Sequence, residues 1–126
     1  MTDKKRLLFV EDDVDIRETL TEILREEGWQ VQSAGHGKEA LALLRAGQPL
    51  PKVILLDLMM PVMNGWQFRA EQLADPDLGR LPVVIVSAAG NIEQTAAQLG
   101  ATAFVRKPVV MDALLRAVGK ALGAPM

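Results

Sequence analysis

Three stretches of the chain are apolar without interruption: Leu7–Val10, Val53–Leu56 and Val83–Val86. Runs this short, each ending at a polar residue, predict strands buried on both faces. Trp29–Ser33 alternates instead, with Trp29, Val31 and Ser33 on one side and Gln30 and Gln32 on the other, which predicts a half-exposed strand at a sheet edge. Thr102–Val105 predicts one more strand, closed by Lys107 and Pro108. Between these runs the period changes. Ile16, Leu20, Ile23 and Leu24 share one face of a helix from about Val14 to Glu27, stopped by Gly28. Leu41 and Leu44 lie on an Ala-rich helix over Lys38–Ala46, stopped by Gly47 and Pro49. Asn64 is an N-cap for a helix through about Leu73, and Asp75–Gly79 is turn chemistry. Asn91–Leu99 reads as a short helix with Ile92, Ala96 and Leu99 inward, and Leu114, Leu115, Val118 and Leu122 mark the inner face of a last helix.

Strand and helix alternate throughout, without repeats or an internal linker, which predicts a parallel sheet covered by helices on both faces. The apolar strands belong in the middle and the alternating one outside. Right-handed crossovers then give a single-domain (βα)5 doubly wound α/β sandwich of flavodoxin-like type, with strand order 2-1-3-4-5. The domain is expected to span residues 1–126, with 123–126 a tail or linker stub of either a stand-alone protein or a longer one.

Composition narrows the function classes. The 126 residues are 49% hydrophobic and 24% charged, as expected of a globular chain able to bury a core without staples. A net charge of −2 and no basic face argue against direct nucleic-acid binding. With no cysteine there is no disulfide framework, thiol nucleophile or cysteine metal site, which suits a reducing compartment. Leu7–Val10 is too short for a signal-peptide core and no run reaches membrane-spanning length, so the expected location is the cytoplasm.

In the expected strand order the chain reverses direction between its first and third strands, which opens a crevice above their carboxyl ends. Glu11, Asp12 and Asp57 all fall there. Carboxylates this close need a cation or shared protons, and oxygen-only ligation selects a hard ion, Mg2+, Mn2+ or Ca2+. Magnesium, with its retained waters, suits an open crevice best. Lys107 and Ser87 end the fifth and fourth strands on the same rim and add a fixed cation and a hydroxyl donor. A carboxylate facing a divalent ion, an ammonium and a hydroxyl is the set that phosphoryl transfer onto Asp57 requires.

The signatures V-E-D-D at Val10–Asp13, D-L-M-M-P-V-M-N-G at Asp57–Gly65, S-A at Ser87–Ala88 and G-A-T-A-F-V-R-K-P at Gly100–Pro108 occur in this order. Together they resemble the CheY-like response-regulator receiver domain of bacterial two-component signalling, over essentially the whole chain. The resemblance implies that Asp57 is the phosphoacceptor of a phosphorelay, with a sensor histidine kinase or phosphotransfer protein as donor and a downstream protein or output domain as reader. It implies that Asp12 ligates Mg2+ (Mn2+ as a substitute) directly, Glu11 mostly through water, Asp57 itself, and Met59 through its backbone carbonyl. Lys107 contacts the phosphoryl group, Ser87 turns towards it, and Phe104 repositions with Ser87. The Lys107–Pro108 bond is commonly cis in that family. The family pattern leaves Asp13 as a helix N-cap or a first-turn acid, favourable against the helix dipole.

Two other readings compete. A magnesium phosphohydrolase using an aspartyl phosphate generally needs a second acid close after its nucleophile, and Leu58 and Met59 stand there. A receiver-shaped interaction module without phosphorylation would be signalled by loss of a site residue, and none is lost. The chain is therefore expected to be regulatory rather than an enzyme. The span from Ser87 to Lys107 is a couple of residues shorter than the family pattern, so the fourth helix is expected to be short or mobile. His36, the single histidine, is expected to be solvated, Trp66 to be core or a near-site reporter, and Met59, Met60 and Met63 to be adaptable packing.

Overall fold

The computed structural model describes residues 5–47 and 49–123. The part of the expected tail at 124–126 lies outside the described residues. The elements are β1 (Arg6–Val10), α1 (Val14–Glu26), β2 (Gln30–Ala34), α2 (Gly37–Leu44), β3 (Val53–Asp57), α3 (Gly65–Ala74), β4 (Val83–Ser87), α4 (Ile92–Gln98), β5 (Ala103–Arg106) and α5 (Met111–Ala121). All strand pairs are parallel, in the order β2-β1-β3-β4-β5. This is the topology expected from the alternation of runs.

Because both faces of the central strands are apolar, successive residues feed two cores. Leu8, Val10, Ile54, Leu56, Val83 and Ile85 pack with Leu41, Leu44, Phe68, Ile92 and Ala96 on one side. Leu7, Phe9, Val53, Leu55, Val84 and Val86 pack with Leu20, Leu24, Leu114 and Val118 on the other. This two-sided burial holds the carboxyl ends of β1, β3 and β4 in fixed register, so residues just beyond them cannot drift apart.

Local signals set the helix ends. Asp13 caps α1 by accepting from the Ile16 N–H at 3.0 Å, and Gly28 follows its C-cap with φ +96°. Asn64 and Gln67 form a reciprocal capping box on α3, both bonds at 2.9 Å.

Several expectations need correction. His36 is not a bystander: it is half-buried and caps α2, its Nδ1 accepting from the Glu39 N–H at 3.2 Å. Trp66 is not core, being 41% exposed on α3. Leu122 is 40% exposed because α5 has ended there, and Ala117 and Ala121 fill the inner face instead. Ser33 is exposed although Trp29 and Val31 are buried, since the core contact passes on to Ala34. Asn91 stands at the N-cap of α4 but makes no side-chain cap bond. Among the described residues no helix is long and apolar enough to cross a membrane.

Candidate functional site

The strand order brings Glu11, one residue past β1, beside Asp57, the last residue of β3. Carboxylate oxygens of Glu11, Asp12 and Asp57 lie within 4.8 Å of one another. Glu11 and Asp57 are buried, while Asp12 is exposed and opens the cluster to solvent. Lys107 enters from the far side, just after β5, with its Nζ 2.8 Å from Glu11 Oε1 and 3.6 Å from Asp57 Oδ2. Its peptide bond to Pro108 is cis, and its N–H donates to the Ser87 carbonyl at 2.9 Å.

Backbone donors complete the cluster. The Met59 N–H donates to Asp57 Oδ1 at 3.3 Å, and the Asp13 N–H to Glu11 Oε2 at 3.1 Å. Ser87, the last residue of β4, is buried with its Oγ accepting from the Ala89 N–H at 3.1 Å, so its hydroxyl is engaged with its own loop. The Met59 side chain is 68% exposed, whereas Met60 and Met63 are half-buried against the core. Phe104 lies apart from the carboxylates. It pairs with Ile85, two positions before Ser87, and packs half-buried on the α3–α4 side beneath the Arg106 guanidinium.

Residues that no motif singled out hold this geometry. Arg17, on the polar face of α1, donates from Nη1 to the Glu11 carbonyl at 2.7 Å. Nothing in the period of α1 separates it from other surface charges. At Val62, φ is +66°, uncommon for a β-branched residue, and the Met63 N–H donates back to the Pro61 carbonyl at 2.7 Å. Gly65 tucks α3 under the site: an added Cβ would lie 2.7 Å from the Asp57 carbonyl oxygen and 2.8 Å from Leu58 Cα. Backbone cannot yield cheaply there, so Gly65→Ala is expected to destabilise the fold by about 2 kcal/mol or more. Urea unfolding of the two proteins measures this.

Burial first, then the charge of Glu11, push the Asp57 carboxyl up to about 7, against the opposing pull of Lys107. Burial works against the Lys107 charge, but Glu11 and Asp57 hold its ammonium above the ordinary lysine value. One ammonium among three carboxylates leaves the crevice short of positive charge, and the donors are all oxygen. That set fits a hard divalent cation. For Asp57 the folded chain binds the proton more tightly than the unfolded chain does. Its contribution to stability therefore falls as pH rises from about 4 to about 7, by a few kcal/mol at most. Metal-free urea titrations across that range are expected to show this slope, flattened when a divalent cation is added.

Fold and site together define a class: a doubly wound parallel α/β domain with an acid cluster and a lysine at its topological switch point. The family model of the response regulator receiver domain matches residues 7–119, and the chain belongs to that family. Protein PilH of Pseudomonas aeruginosa is 32% identical over 119 residues, covering 93% of this chain and 97% of PilH. A probable transcriptional regulator, ycf27, of Guillardia theta is 35% identical over 120 residues, covering 91% of this chain but only 45% of its own length. The chain thus spans under half of some curated relatives and nearly all of another. Among solved structures, a putative response regulator from Chloroflexus aurantiacus superposes with TM-score 0.86 at 28% identity, covering 96% of this chain and 99% of that one. The chemotaxis protein CheY4 of Vibrio cholerae superposes with TM-score 0.84 at 27% identity, covering 95% and 100%.

Proposed function

We propose that this receiver domain, spanning the chain, takes a phosphoryl group on Asp57 from a histidine kinase or phosphotransfer protein in the cytoplasm, and so regulates a downstream protein or output domain. The observation that carries this reading is the meeting of Asp57, Glu11, Asp12 and Lys107 at one sheet edge, with Asp57 accepting from a backbone N–H and facing an ammonium at 3.6 Å. The ionised Asp57 carboxylate attacks phosphorus in line. A new O–P bond forms as the donor's P–N or P–O bond breaks, and the leaving group departs with the electron pair. Lys107 draws the phosphoryl oxygens to the fifth strand and offsets the charge they bring. Met59 N–H fixes one Asp57 oxygen, and the other faces the Lys107 ammonium.

Asp12, Glu11, Asp57 and the Met59 carbonyl would hold Mg2+, with Mn2+ as a substitute. Bound there, the cation would neutralise phosphoryl charge and favour the ionised form of Asp57. Once Asp57 is phosphorylated, the Ser87 hydroxyl turns away from the Ala89 N–H and donates to a phosphoryl oxygen, and Phe104 follows. The reading is of a regulatory phosphoacceptor, not an enzyme with a separate substrate. Intact mass after incubation with acetyl phosphate and Mg2+ tests it: one phosphoryl adduct that forms only with the cation is expected, and no adduct under conditions that label another receiver domain overturns it.

A further inference from the structure

The inward side of α3 is unusual in carrying two buried polar residues, Arg69 at 6% exposure and Gln72 at 0%. Neither touches the phosphoacceptor cluster. The Arg69 guanidinium donates from Nε to the Leu99 carbonyl at 2.9 Å, from Nη2 to the Gly100 carbonyl at 3.1 Å and from Nη1 to Gln72 Oε1 at 2.8 Å. Gln72 Nε2 in turn donates to the carbonyls of Leu78 and Leu81 at 2.9 and 3.1 Å. Among the described residues no carboxylate pairs with Arg69, and burial lowers the affinity of its guanidinium for its proton. A buried cation in this position is satisfied by carbonyls alone, so those bonds are costly to break.

The carbonyls it grips are the end of α4. That end is already closed by paired bonds, Gly100 N–H to Ala97 and Ala101 N–H to Ala96, with Gly100 at φ +69°. The positive guanidinium also faces the negative end of the helix dipole. The opposite end of this 7-residue helix has no comparable hold. Asn91 makes no cap bond, Gly90 has open space around it, and the Arg106 guanidinium reaches the Gly90 carbonyl only at 3.5 Å. Ile92 is fully buried, but apolar packing has no direction and tolerates rotation.

We propose that Arg69, braced by Gln72, fixes the carboxyl end of α4 as a pivot, so that rearrangement of the segment from Ala88 onward swings the helix about its last turn instead of sliding it. The short α4 then works as a lever whose amino end moves most. The part concerning the unphosphorylated chain stands on the bonds above; the part concerning rearrangement rests on the proposed phosphorylation of Asp57.

Amide hydrogen exchange read by NMR tests both parts. In the unmodified chain, the Gly100 and Ala101 amides are expected to be protected at least about tenfold more than that of Thr95, which bonds back to Asn91. In Arg69→Met, protection at Gly100 and Ala101 is expected to fall about tenfold while Thr95 and the β3 amides change little, with Arg69→Lys in between. Equal protection along α4 in the unmodified chain overturns the pivot even if the variant does not fold. With Mg2+ and beryllofluoride as the phosphoryl mimic, shift changes are expected from Ala88 to Thr95 but not at Gly100 and Ala101. Changes along the whole of α4 count against the swing. A chain that shows the exchange gradient but no beryllofluoride response at Asp57 overturns the proposed function and leaves the anchoring intact.

Discussion

Asp57→Asn is expected to abolish the phosphoryl adduct and, in metal-free buffer at pH 8, to make the chain more stable than the unmodified protein. The two effects have one origin. Asp57 is 3% exposed beside Glu11, and burial with that like charge raises its carboxyl to about 7. Above that pH the folded chain holds two buried carboxylates against one Lys107 ammonium. Asparagine keeps the shape and an oxygen acceptor for the Met59 N–H, but removes the repulsion and the nucleophile together. A gain of about 1–3 kcal/mol is expected at pH 8, shrinking to near zero at pH 5, where Asp57 already carries a proton. Adduct formation should fall below detection, at least about a thousandfold, since no other group replaces the attacking oxygen. Intact mass gives the first result and urea unfolding at the two pH values the second. An asparagine variant less stable than the unmodified chain at pH 8 would show that the cluster is not strained by charge.

How far this was legible in the sequence follows from which residues carry a period or a breaker. The apolar runs around Phe9, Leu55 and Ile85 have no competing reading, so the central strands and their order emerge from length and flanks. Glu11, Asp12 and Asp57 were visible because acids directly after buried strands stand out against the apolar background. Lys107 was visible through Pro108. What escaped was held by backbone geometry or by single polar contacts. Arg17 looks like any charge on a helix's wet face, and only the fold shows its bond to the Glu11 carbonyl. His36 follows Gly35 and precedes Gly37, which suggests a loose loop, yet its Nδ1 accepts from the Glu39 N–H where a capping oxygen would. Arg69 and Gln72 occupy inward positions of α3 where the pattern asks for apolar residues, and Trp66 and Leu73 lie exposed where it asks for polar ones. A helix patterned against its own burial cannot be oriented from sequence. Neither can a backbone turn at Val62, since no side-chain rule predicts a left-handed valine.

Lys107→Met is expected to have the largest effect on stability of any substitution at the cluster, and the effect should depend on pH and metal. Methionine has the length and apolar stem of lysine, so packing against the rim is largely kept while the charge is lost. Glu11 is fully buried and its Oε1 has the ammonium 2.8 Å away; without it a buried carboxylate stands unpaired beside Asp57. Removing one partner of such a pair costs about 3–5 kcal/mol, and the chain is expected to lose about 3 kcal/mol at pH 8 without metal. At pH 5 the loss should be smaller, because Asp57 then takes up a proton and one charge disappears from the crevice. Saturating Mg2+ is expected to restore much of the stability, since a divalent cation compensates for the missing ammonium. It should not restore phosphorylation, because the proposed function also gives Lys107 the phosphoryl oxygens to hold; a slowing of about a hundredfold is expected. Combining Lys107→Met with Asp57→Asn separates the terms. If charge repulsion is the cause, Asp57→Asn stabilises the Lys107→Met background at pH 8 by more than it stabilises the unmodified chain. If Asp57→Asn gives the same gain in both backgrounds, Lys107 does not act on Asp57 through charge, and the charge argument for the whole crevice fails.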